Sequence, residues 1–187
     1  MDQIRKYLLP FFCIMLIPLF LSCNSKKKEM KEYIEKELIL FLYSKISIEE
    51  VGLIPVNLTD SIMMKDYLSS KYKIYSFVDS MDCSSCQIVR LRKWKDLFKD
   101  LNSKLSPIII IFNTQDVLNV KKYMDLYGLD FPYFLDFENK FKKVNKQIPQ
   151  KGIFRTFLTR NDSIIVVGNP INNKKIEKLY RKEISTN

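Results

Sequence analysis

The sequence predicts an α/β fold, a central mixed sheet with helices on both faces. Three observations point to it. Tyr72–Val78 is strand-like, and Pro107–Phe112 is a continuous β-branched run, four isoleucines ending in phenylalanine. Such a run suits a strand buried on both faces, where no polar alternation is needed. Helical patterns at Ser84–Leu101 and Asp116–Tyr127 follow these two runs in turn. Finally, Arg155–Thr159 and Ser163–Val167 flank the turn signal Arg160-Asn-Asp162, which reads as a β-hairpin.

The remaining elements fit around that frame. Residues 29–43 mix charge with an apolar stripe, Met30, Ile34, Leu38, Phe41 and Leu42, and read as a helix. Gly52–Leu58 reads as a short strand near a turn, and Asp60–Ser70 as loop with a helical turn. Gly128 is placed to stop the helix before it, because glycine tolerates the left-handed backbone of a helix end. Phe131–Leu135 reads as a short strand, Glu138–Lys146 as a short helix, and Asn172–Ile184 as a closing amphipathic helix with Ile176, Leu179 and Tyr180 on one side. No internal repeat or second domain is visible.

The front end carries targeting information. Arg5 and Lys6 precede an apolar run of 15 residues, Tyr7–Leu21, that contains two prolines. A membrane-spanning helix needs about 20 residues, so the run suits a secretory signal better. It closes on Phe20-Leu21-Ser22-Cys23, which resembles a bacterial lipobox, with Phe20 where leucine is usual. That resemblance implies cleavage before Cys23 and a lipid on its sulfur; an uncleaved signal anchor is the alternative. Either way the rest of the chain is expected outside the cytoplasm, tethered to a bacterial membrane and facing the periplasm or the cell surface. The expected organisation is residues 1–22 as signal peptide, 23–54 as tether and N-terminal helix, and 55–187 as the folded domain.

Loss of residues 1–22 removes Arg5, Lys6 and Asp2 and lowers the formal charge from +10 to +9. The lysines are spread along the chain with no recognition motif, which argues against nucleic acid as a partner. A solvated basic surface, or steering toward acidic partners or membrane, accounts for the balance. The chain has 4 cysteines. Cys13 leaves with the signal and Cys23 is taken by lipid, so Cys83 and Cys86 remain as the one thiol pair of the mature domain. There is no histidine. Cys-His and Ser-His-Asp catalysis are thereby excluded, and one Cys-x-x-Cys supplies only half the ligands of a structural zinc site. No cofactor and no metal are expected.

The order of elements, with Cys-x-x-Cys where the first core strand turns into its helix, resembles the thioredoxin fold. More narrowly it resembles the bacterial membrane-anchored thioredoxin-like proteins, the TlpA/ResA and AhpC/TSA redoxin group. Residues 74–86 stand where that family has its apolar strand and catalytic motif, Ile108–Asn113 is similar to its second core strand, residues 131–136 to its Phe-Pro stretch, and Thr156–Asp162 to its Thr-Phe-Leu hairpin. The likeness covers roughly residues 55–184. Two positions depart from it: Asp82 replaces the tryptophan before the first cysteine, and Arg155 stands where the family has a cis-proline. A cis bond before a non-proline residue costs about 2.5–4 kcal/mol, so a trans bond is expected there.

The resemblance implies thiol-disulfide exchange on protein or small thiol and disulfide substrates, with a membrane thiol-relay protein as electron donor. Cys83 would be the attacking sulfur and Cys86 the resolving one, with Asp82, Ser84, Ser85, Arg155 and Thr156 forming the rim. A helix starting after Cys83 presents unpaired N–H groups and the positive end of its dipole, favouring thiolate, whereas Asp82 opposes it by charge. Arg155 is expected against the sulfur pair. A disulfide closing so small a loop adds little stability, which favours a redox role over a structural one.

Two other readings stay open. One is a redox-inactive adaptor that binds a partner at the altered rim. The other is a peroxidase, suggested by Ser80 three residues before Cys83, but lacking the family's proline at Ser76. Trp94 reads as core, Asp136 as a loop hydrogen-bonding group, and Met63, Met64, Phe131, Tyr133, Phe134 and Phe137 as core or rim packing.

Overall fold

A computed structural model describes residues 26–58, 61–80, 82–100, 107–130 and 132–185. The expected signal peptide, Cys13, Cys23 and Phe131 lie outside these residues. The chain divides into two compact units, residues 1–39 and 40–187. Helix α1 spans residues 26–41. On it Lys28–Glu32 and Lys31–Glu35 pair at 3.9 and 3.7 Å, each worth a few tenths of a kcal/mol. Among the described residues no helix is long and apolar enough to cross a membrane.

The larger unit is built on one six-stranded sheet. Its strands are β1 (Ile54–Val56), β2 (Tyr72–Val78), β3 (Ile108–Phe112), β4 (Tyr133–Leu135), β5 (Thr156–Arg160) and β6 (Ser163–Val167), in the spatial order β1-β4-β3-β2-β5-β6. β2 runs parallel to β3 and antiparallel to β5, so the mixed sheet is centred on the strand that leads into the cysteines. The helices of this unit are α2 (Ser61–Ser69), α3 (Ser84–Asp100), α4 (Val117–Leu126), α5 (Lys140–Val144) and α6 (Lys174–Ser185).

Strand alternation sorts the core into two layers. Ile74, Val78, Ile108, Ile110, Phe112 and Leu158 face a cluster completed by Ile88, Leu91 and Trp94 of α3, Val120 and Met124 of α4, and Tyr180 and Ile184 of α6. Tyr75 and Phe77 point the other way and pack with Phe141 of α5. Tyr75 also stacks on its strand partner Phe157 at 5.2 Å, and Phe41 meets Phe154 and Phe157 edge-on. Both faces are covered, which is why all seven residues of β2 are buried. Even Lys73 is only 3 % exposed; its ammonium pairs with Asp162 at 2.5 Å and donates to the Leu68 carbonyl at 2.6 Å. A buried ammonium needs such partners.

Local signals behave as expected at several ends. Asp116 caps α4 through the Asn119 amide, and Gly128 follows that helix with φ +59°. Asn161 and Asp162, both with positive φ, form the tight turn between β5 and β6, where a left-handed backbone matches the strand twist. Trp94 is core, 1 % exposed. Asp136 accepts from the amides of Lys140 and Phe141 at 2.8 and 2.9 Å, starting α5.

Two expectations are corrected. Residues 61–69 form a nine-residue helix rather than loop with a single turn, and the Tyr67 hydroxyl donates to the carbonyl of Ile108. That tertiary anchor supplies what the weak local apolar pattern does not. On α6, Tyr180 and Ile184 are buried and Ile176 partly so, but Leu179 is 45 % exposed. The buried residues are spaced by four, and Leu179 lies off the line they make.

Candidate active site

The site forms where β2 ends. The Val78 carbonyl accepts from Asn113 and the Phe77 amide donates to the Arg155 carbonyl, so both neighbouring strands are held at this point. The chain then turns. The Asp82 amide donates to the Asp79 carbonyl at 2.9 Å, and the Asp79 amide returns a bond to the Asp82 carboxylate at 3.0 Å. Immediately afterwards α3 begins at Ser84, and the Cys83 carbonyl accepts from Gln87 at 3.0 Å. Cys83 is thus the last residue before the helix proper, with its sulfur beside the helix's unpaired N–H groups.

Cys83 and Cys86 form a disulfide with their Cα atoms 5.2 Å apart, and both residues are exposed. The Cys86 amide donates to the Cys83 sulfur at 3.3 Å, and the Ser85 hydroxyl lies 3.3 Å from the same sulfur. Donors therefore converge on Cys83, the sulfur that the helix N-terminus also favours as an anion.

Behind the disulfide lies a group of four charges. The guanidinium of Arg155 pairs with the Asp82 carboxylate and lies 3.8 Å from that of Asp79. Lys142, from α5, reaches Asp79 at 3.3 Å. Gln150 ties the two cations together, its side chain accepting from Lys142 at 2.9 Å and its carbonyl from Arg155 at 3.3 Å. The four charged side chains range from 10 % exposed for Asp79 to 25 % for Asp82, so the pairs are substantially shielded from water. Two anions and two cations cancel. The repulsion between Asp82 and a thiolate at Cys83 is correspondingly offset by Arg155.

Of the expected residues, Cys83, Ser85 and Cys86 meet at the disulfide, while Arg155 meets Asp82 and Asp79. Thr156 is buried, 6 % exposed, and opens β5 opposite Ser76, its carbonyl accepting from Gly168. Arg155 ends a short 3-10 turn, Gly152–Phe154, and no described peptide bond is cis. Ser80 is exposed and its hydroxyl lies 3.4 Å from the Asp79 carboxylate.

Asp79 and Lys142 were not anticipated as site residues. Asp79 left a signal: it directly follows the strand Tyr72–Val78, and an acid buried at that point needs a cation or hydrogen-bond donors. Nothing local indicates that the cation is Lys142, 63 residues away. Among the described residues no cluster of three His, Cys, Asp or Glu side chains is arranged to hold a metal ion.

No protein-family model matches the chain, and no curated protein sequence matches it. Solved structures do. A thioredoxin-like superfamily protein superposes with a TM-score of 0.52 at 12 % identity, covering 78 % of this chain and 95 % of that one. A thioredoxin-like protein from Bacteroides caccae gives 0.49 at 13 % identity over 83 % of this chain, which spans only 55 % of that protein's length. The thioredoxin domain of a thiol-disulfide oxidoreductase from Bacteroides vulgatus gives 0.47 at 16 % identity, covering 73 % and 97 %. The chain has a thioredoxin-like fold, and the position that leads from its central strand into α3 carries a Cys-x-x-Cys disulfide.

Proposed function

We propose that this protein is a thiol-disulfide oxidoreductase that works through Cys83 and Cys86 in the direction of disulfide reduction. The observation that carries the reading is the exposed disulfide at the start of α3, with the Cys86 amide and the Ser85 hydroxyl both directed at the Cys83 sulfur. Those donors stabilise negative charge on Cys83 when the pair is reduced. In the reaction the Cys83 thiolate attacks one sulfur of a substrate disulfide. A Cys83–substrate bond forms, the substrate S–S bond breaks, and the departing thiolate takes a proton from solvent. Cys86, deprotonated, then attacks Cys83, restoring the intramolecular disulfide and releasing the second substrate thiolate. Two electrons pass from the pair to the substrate. A dithiol donor, such as a membrane thiol-relay protein, returns them.

The proposed setting is the extracytoplasmic side of a bacterial membrane, with a lipid on Cys23 as tether. Replacing Cys23 with serine should release the protein or block its processing.

The reading is tested by incubating reduced protein with insulin as disulfide substrate, alongside Cys86→Ser, which can attack but not resolve. Wild type should reduce insulin, and Cys86→Ser should accumulate a mixed disulfide through Cys83. If neither happens and Cys83→Ser leaves cells unaffected, the adaptor reading replaces this one. Cys83-dependent consumption of hydrogen peroxide would favour the peroxidase.

A further inference from the structure

Two segments flank the disulfide, and their charge is one-sided. Residues 83–93 of the helix side contain Arg90, Arg92 and Lys93 and no acid. Residues 140–155, joined to the site through Lys142, Gln150 and Arg155, contain Lys140, Lys142, Lys143, Lys146, Lys151 and Arg155, again with no acid. The two acids of the site, Asp79 and Asp82, are the partly buried partners of Lys142 and Arg155. They therefore pair with the inner cations, and Lys140 pairs with Glu138 at 3.3 Å. Arg90, Lys93, Lys143 and Lys146 are exposed and form no ion pair among the described residues.

The cations are ordered with respect to the sulfur atoms. On a helix, positions three, four and seven apart share a face. Counted from Cys86 these are Val89, Arg90 and Lys93, all exposed. Val89 is 43 % exposed beside the disulfide, and Ile153 is 53 % exposed on the turn that delivers Arg155 to Asp82. From Cys86 to Lys93 the helix rises about 10 Å, the length of roughly three residues of extended chain. Apolar side chains near the sulfurs with cations farther out make a track for a peptide, longer than a single small thiol would use.

We propose that the disulfide serves acidic polypeptides: the substrate cysteine is bordered by an apolar residue, with carboxylates that lie along Arg90 and Lys93. The inference rests on the oxidoreductase reading for its chemistry, but the docking surface is testable without it. Complementary charge at this range acts chiefly by steering encounter and excluding like-charged partners, and salt screens it.

The experiment uses the full chain and two peptide sets, each carrying a central cysteine flanked by glutamates, by glutamines or by lysines. In one set the cysteine is in a mixed disulfide, and the rate of exchange with reduced protein is followed. In the other it is replaced by serine, and binding to the oxidised protein is followed by fluorescence anisotropy. At low salt the acidic disulfide should react about tenfold faster than the basic one, and the difference should collapse at high salt. The double variant Arg90→Gln, Lys93→Gln should lose most of that preference while exchanging with the neutral peptide at the wild-type rate. The acidic serine peptide should bind more tightly than the basic one, and the variant should weaken it. Equal rates and equal binding for acidic and basic peptides overturn the proposal. Failure of every disulfide peptide to exchange, with selective acidic binding retained, overturns the oxidoreductase reading and supports the surface. If the double variant loses attachment to anionic phosphatidylserine vesicles but keeps its acidic-peptide preference, the cations serve a membrane and the proposal fails.

Discussion

Arg155 and Asp82, 73 residues apart, are ion-pair partners, and Asp82 immediately precedes Cys83. These are the two positions at which the sequence departs from the thioredoxin-like pattern. Their pairing links the two departures: an acid and a base that neutralise each other. The pair also ties the loop before the cysteines to the turn before β5.

A double-mutant cycle measures that tie. Asp82→Asn and Arg155→Gln should each destabilise the domain, Arg155→Gln more, because it leaves both Asp79 and Asp82 without their shared guanidinium. The pair is neither fully exposed nor fully buried, so the coupling should fall at about 1–2 kcal/mol, between the value of surface pairs and the cost of breaking buried ones. Chemical denaturation of the four proteins checks it, and additive effects would show the pair to be energetically idle.

Asp136 holds the first turn of α5, and α5 carries Lys142 to Asp79. Asp136→Ala leaves two amides without acceptors and should cost about 1–2 kcal/mol. The thermal midpoint should fall, and protection from hydrogen exchange should be lost first at Lys140 and Phe141. Unchanged exchange at those amides would remove Asp136 from this role.

Burial raises the ionisation of Tyr67, Tyr75 and Tyr180 above the ordinary tyrosine value near 10, with the charges of Asp162 and Glu49 adding to the effect at Tyr75. The folded state therefore holds these protons more tightly than the unfolded chain does. Their contribution to stability is complete below pH 10 and is lost as pH rises above it toward the higher folded values. An alkaline ultraviolet titration should show these three ionising together with unfolding. Ionisation of all tyrosines in one reversible step, with native circular dichroism retained, would contradict it.

Much of the frame was legible because its signals are local. Ile108–Phe112 is apolar without interruption and Tyr72–Val78 is broken only by Lys73 and Ser76, and a strand covered on both faces imposes such a composition on its own residues. The Asn161-Asp162 turn and Gly128 announce themselves through backbone preference. Residues 61–69 announced little, since their helix is secured by Tyr67 reaching a carbonyl of β3. At the site, Cys83 and Cys86 were legible from spacing, and the partner of Asp79 was not.

By itself the sequence determined the α/β alternation, the Cys-x-x-Cys pair at the head of α3, and the excess of positive charge. The tertiary structure alone decided that Arg155 meets Asp82 and that Lys142 meets Asp79, leaving Arg90 and Lys93 facing outward beside Cys86. The reason is range. Periodicity, capping and turn preference act over a few residues and leave their mark in adjacent letters. An ion pair 73 residues apart exists only once β5 has docked against β2, and neither letter carries the other's address.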